Sequence, residues 1–73
     1  MITLTLETEI EDGVSSFEVF KDGKHVAVVE LYYDYGDTLC DVYVTLGNLS
    51  DEDIDSIMLG EDNVVYHSHE QVA

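Results

Sequence analysis

The segment ITLTLETEIEDGVSSFEVFKDGKHVAV, residues 2–28, decides the fold. It holds two Asp-Gly pairs, Asp12-Gly13 and Asp22-Gly23, each set between segments in which apolar and polar residues alternate. Asp-Gly in that setting is the strongest short-range hairpin signal, because the two-residue turn that matches strand twist takes positive φ at both central positions. Two such turns in series predict three antiparallel strands.

With two-residue loops, opposed residues share a face, and the register follows from the turns. Leu6 is expected opposite Val19 and Val19 opposite Val26, with Thr8, Phe17 and Val28 in the next row. The predicted core side therefore carries Leu4, Leu6, Phe17, Val19, Val26 and Val28. The other side carries Glu7, Glu9 and Glu18, with Glu7 directly across from Glu18, a like-charge opposition that costs stability. Phe20, Ala27, Val29 and Leu31 form a second apolar strip on that side. A helix, a curl of the sheet or another molecule must cover it, and a homodimer through it stays open.

Working outward, the bend Tyr33-Asp34-Tyr35-Gly36-Asp37 leads to a fourth strand from Thr38 to Leu46. Either Leu39 and Tyr43, or Cys40, Val42 and Val44, face its core. Ser50 then reads as the N-cap of a helix of about three turns, with acids where the helix dipole favours them and Ile54, Ile57 and Met58 as the buried stripe. Gly60 is a natural stop. Asn63 to His67 reads as a fifth short strand and 68–73 as a frayed tail. No proline or linker interrupts the chain. The expectation is one α+β domain, 1–73, built as an antiparallel four- to five-stranded meander sheet with one short helix.

Composition narrows the function. The 73 residues include 17 Asp and Glu against two Lys, for a formal charge of −15, yet 45% are hydrophobic, which is ample for a core. Such a charge repels nucleic acid and anionic lipid, so neither is an expected direct partner. No apolar run approaches 18 residues and no basic start precedes an apolar stretch, which predicts a cytoplasmic protein, in a host cell if a phage encodes it. Cys40 is the single cysteine, read as a small buried hydrophobe in a reducing setting.

Several motifs fall short of chemistry. Asp51, Asp53, Asp55 and Asp62 have the spacing of a calcium loop, but Ser56 stands where that loop needs glycine and Ile57 to Leu59 is apolar. His67 and His69 share a face of an extended segment, but nothing in the sequence joins them to His25. Asn48-Leu49-Ser50 matches a glycosylation acceptor without a secretory signal. A glycine-rich phosphate loop is also lacking. The expectation is no catalysis, no metal and no cofactor.

The charge is then the strongest feature. A compact chain of this length is about 30 Å across, and duplex DNA of that length carries roughly 17 phosphates. Carboxylates two apart on a strand recur every 6.7 Å or so, the scale of successive phosphates. This points to a DNA mimic whose partner is a basic nucleic-acid-binding protein. The residues expected to meet it are Glu7, Glu9, Glu18, Asp34, Asp37, Asp51, Glu52, Asp53 and Asp55, with Tyr35 from the tyrosine cluster, since exposed tyrosine is enriched in interfaces. The alternative is an acidic structural or interaction subunit whose charge serves solubility or high-salt adaptation.

In size and charge the chain resembles the small DNA-mimic inhibitors of bacteriophages, which include anti-CRISPR proteins and uracil-DNA glycosylase inhibitors. Asp55-Ser56-Ile57-Met58-Leu59 followed by Glu61-Asp62 is similar to the acid-Ser-Ile-Leu-Met-Leu stretch and trailing carboxylates of the glycosylase inhibitors. The likeness covers under a tenth of the chain. In that family the tract is an edge strand after a helix, whereas here it reads as the helix itself, so no residue role carries over. The resemblance implies an inhibitor that occupies the cationic nucleic-acid cleft of a host enzyme, as a counter-defence or DNA-repair inhibitor.

Overall fold

A computed structural model describes residues 1–34 and 38–67. Five strands form one sheet: β1 (Ile2–Glu11), β2 (Val14–Lys21), β3 (Lys24–Asp34), β4 (Thr38–Gly47) and β5 (Val64–His67). The single helix, α1 (Asp51–Leu59), lies between β4 and β5 in the chain. The spatial order is β4-β3-β2-β1-β5. Strands β1 to β4 pair antiparallel in sequence order, while β5 pairs parallel to β1 at the far edge. The sheet is therefore mixed, which corrects the purely antiparallel meander. The helix carries the chain back from one edge to the other, and such a crossover lets a strand enter parallel. Asp37, Tyr35 and the tail 68–73 lie outside the described residues.

Both Asp-Gly pairs form turns, but only the second has both residues at positive φ, with Asp22 at 52° and Gly23 at 82°. The register near that turn follows the expectation, with Lys21 opposite Lys24 and Phe20 opposite His25. One residue later it changes. Val19 faces Ala27, so Val26 is an extra residue in a β-bulge. A one-residue slip moves every later side chain of a strand to the opposite face. Ala27, Val29 and Leu31 thereby enter the core, and the expected Val28 turns outward. What reads in the sequence as a second apolar strip is the core itself, with Phe20 left on the other side.

Strand β1 is bulged twice, between Leu6 and Thr8 and between Glu9 and Glu11. Leu6 consequently faces Phe17 in place of Val19, and Leu4 faces Val19. Two slips preserve the core face of β1 while moving the acids. Glu18 now lies opposite Thr5, and Glu7 sits in the bulge, so the expected opposition of Glu7 and Glu18 does not occur.

The core consists of Ile2, Leu4, Phe17, Val19, Ala27, Val29, Leu31 and Ile57, all nearly inaccessible to solvent. Val42 and Val44 of β4 pack against it, together with Leu39. Ile57 brings α1 onto this face of the sheet. Ser50 Oγ accepts from the Asp53 N–H at 3.1 Å and caps the helix start. Gly60, with φ 64°, closes its end by donating to Ile57 O. Met58, expected in the buried stripe, is 37% exposed, and Ile57 alone of the helix is fully buried. The other face of the sheet carries no element of this chain among the described residues.

Candidate protein-docking surface

The outward face can be laid out row by row, because opposed residues share a side. Thr5, Glu18, Val28 and Leu46 form one row. Thr8, Ser16, Glu30 and Tyr43 form the next. Glu11, Val14, Tyr32 and Asp41 form the third. Glu7 is tied to the same face, since Ser16 Oγ donates to its Oε1 at 3.1 Å. Carboxylates thus alternate with large apolar and aromatic groups. Tyr43 and Leu46 are 60% and 64% exposed.

The Tyr32 hydroxyl donates to Glu30 Oε1 at 2.6 Å. That hydrogen bond, then desolvation and the charges of Glu30 and Glu11, raise its phenol above the ordinary value. The ring is held in the third row, at one end of the face. At the opposite end of the face, the rings of Phe20 and His25 meet edge-on at 5.2 Å. His25 Nε2 lies 3.5 Å from Glu18 Oε2, a pair that is ionic only when the imidazole is protonated.

Fixed positive charge is absent from this face among the described residues. Lys21 lies opposite Ile2 and Lys24, on the helix side, and donates from Nζ to Asp53 Oδ2 at 3.1 Å. The N-terminal ammonium pairs with Asp22 at 2.9 Å, which holds the Asp22 carboxyl below its usual range.

The expected site residues divide accordingly. Glu7 and Glu18 share the outward face. Glu9 lies opposite Ser15 on the helix side and lines a cleft of about 310 Å³ with Glu11, Asp12, Gly13 and Tyr33. Asp34 lines an adjoining cleft beside Asp12 and Tyr33. Asp51, Glu52, Asp53 and Asp55 belong to α1, on the other side of the sheet from Glu18. Three of them occupy the first turn, where the helix dipole stabilises negative charge. Asp37 and Tyr35 fall outside the described residues.

Glu30 and Asp41 are the acids that sequence reasoning misses. Their two-residue offset from Tyr32 and Tyr43 is visible in the sequence, but their side of the sheet depends on the bulge at Val26. Cys40 is also displaced from expectation. It is the extra residue of a bulge in β4, exposed rather than buried, and its Sγ donates to Thr38 O at 3.6 Å. Desolvation, and next its hydrogen bond with Asp34, raise the thiol above its ordinary value.

Among the described residues no three His, Cys, Asp or Glu side chains are grouped to hold a metal ion. No helix there is long and apolar enough to cross a membrane. No family model, no curated protein and no solved structure matches this chain.

Proposed function

We propose that this protein is a DNA-mimic inhibitor that occupies the cationic nucleic-acid-binding cleft of a host enzyme. The observation that carries the reading is the confinement of both lysines to the helix side, which leaves Glu7, Glu18, Glu30 and Asp41 together on a sheet face without fixed positive charge among the described residues. Diagonal neighbours on a sheet are about 7–8 Å apart, so Glu18 and Glu30 stand at phosphate-like spacing. The whole body measures 31 × 30 × 24 Å, the length over which duplex DNA carries roughly 17–18 charges.

A field of this sign steers a basic partner and speeds its association, and the gain falls as salt screens it. Inhibition follows by exclusion: a cleft filled with carboxylates cannot admit phosphates. No proton transfer or bond cleavage is required of this chain, and the reading makes it a binding protein rather than an enzyme.

The test uses immobilised protein and a bacterial lysate. Retained proteins are challenged with duplex DNA, and the nucleic-acid activity of each is assayed with and without the inhibitor. The expected result is a partner displaced by DNA, inhibited at 0.1 M salt and released near 1 M. The double variant Glu18→Lys, Glu30→Lys should keep its melting temperature and lose inhibition. Retention that DNA does not disturb, or inhibition unchanged in the variant, would reduce the charge to a solubility device.

A further inference from the structure

We infer that the partner binds the outward sheet face through a mixed contact, in which its lysines or arginines meet Glu18, Glu30 and Asp41 while an apolar recess receives Tyr43 and Leu46. This rests on the proposed function and specifies its surface and the chemistry of the partner. A pure charge mimic would need carboxylates alone. Here the same rows expose two large apolar side chains that no element of the chain covers among the described residues. Water solvates such a patch poorly, and burying it yields the short-range attraction that lowers an off-rate.

Two competing surfaces are less suited. The α1 acids already have roles in the fold: Asp53 holds Lys21, and Asp51 and Glu52 sit at the helix N-terminus, where their charge is stabilised. The acids of the outward face meet no fixed positive charge among the described residues: Glu7 and Glu30 accept from hydroxyl groups, Asp41 from the Val42 N–H at 2.9 Å, and Glu18 lies beside His25. A second copy of this chain is also disfavoured as occupant. A two-fold contact through this face would set two copies of the same surface, each carrying Glu18, Glu30 and Asp41, against one another, with only His25 to offset them. Charge complementarity selects a cationic partner.

Tyr32 contributes order. With its hydroxyl bound to Glu30, ring and carboxylate form a preset pair, so less side-chain freedom is lost on binding. An arginine is the best-matched counterpart, because its planar guanidinium can meet the carboxylate and stack on the ring.

The test uses two synthetic peptides and the full chain labelled with ¹⁵N. One peptide is oligolysine, which offers charge alone. The other is an amphipathic helix with arginine on one face and leucine on the other. The amphipathic peptide should bind at least tenfold tighter at 0.15 M salt and shift the amides of Glu18, Val28, Glu30, Tyr43 and Leu46. The double variant Tyr43→Ser, Leu46→Ser should erase that preference while leaving oligolysine binding and the melting temperature unchanged. The variant Asp51→Asn, Asp55→Asn should alter neither.

Shifts centred on Asp51 to Asp55, or equal affinity for both peptides, would overturn this surface while leaving cationic recognition intact. Failure of both peptides to bind would overturn the DNA-mimic reading and this inference together. Sedimentation as a dimer that Tyr43→Ser, Leu46→Ser converts to monomer would assign the face to a second copy and overturn the cationic partner.

Discussion

Gly47 packs its bare α-carbon against the carbonyl of Val26, the bulged residue that decides which side of β3 enters the core. Asn48 N–H donates to the same oxygen at 3.3 Å. The close approach leaves no room for a side chain at position 47, where φ is also 77°. Gly23 makes a natural control, because its φ is 82° but open space surrounds the position a Cβ would take.

Gly23→Ala is expected to cost about 1 kcal/mol, from backbone conformation alone. Gly47→Ala should cost clearly more, about 3 kcal/mol, since backbone clash adds to the same strain. Urea denaturation of the two variants checks the difference. Equal losses would mean that the Val26 bulge is not held by Gly47.

The slip at Val26 predicts opposite fates for adjacent valines. Val29 is fully inaccessible, while Val28 is partly exposed on the outward face. Val29→Asp buries an unpaired charge and should unfold a domain whose whole stability is on the order of 5 kcal/mol. Val28→Asp should remain folded, with a loss of about 1 kcal/mol. Circular dichroism of both decides the register, and the reverse order of damage would restore the uninterrupted pairing.

Ser50 supplies the only side-chain acceptor at the start of α1 that bonds a helix N–H among the described residues. Ser50→Ala should lose about 1 kcal/mol, and Ser50→Asp should recover most of it. Equilibrium unfolding measures both. No loss in the alanine variant would show that water satisfies the helix start equally well.

Tyr66 predicts an alkaline transition. Its ring meets Phe17 edge-on at 5.7 Å, and burial, followed by the influence of Tyr33, pushes its phenol up to about 12 from the ordinary 10. A group whose folded value is raised contributes stability in full below its unfolded value and loses it as the folded value is crossed. The protein should therefore weaken between pH 10 and about 12. Absorbance at 295 nm should show a late-titrating tyrosine that Tyr66→Phe removes, with a gentler decline in stability over the same window. An unchanged titration would place Tyr66 in water.

The parts of this architecture that local chemistry specifies are legible in the sequence. Asp-Gly sets both turns, Ser50 and Gly60 bracket the helix, and the short Val64–His67 strand lies within the expected segment. The bulges are not legible. From Val26 to Leu31 both alternating sets of β3 are apolar apart from Glu30, so hydrophobic pattern cannot distinguish one register from its neighbour. Only packing against β4 and α1 selects Ala27, Val29 and Leu31. The candidate surface inherits that ambiguity: Glu18 can be placed from the turn, whereas Glu30 and Asp41 join it only once the slip is known. The parallel β5 was equally hidden, because the direction of an edge strand is set by the path of the helix.

The pairing of β5 with β1 has a consequence for folding of the chain. Ile2 lies opposite Val64, and Ile2 N–H donates to Asn63 O at 2.8 Å. Strand β1 thus obtains its last neighbour from a segment 62 positions further along the chain, since Ile2 pairs with Val64. Until β5 docks, one border of β1 is an open template for other unfolded copies, and distant closure of this kind slows folding. The dense negative charge would keep such unfinished copies apart during that interval.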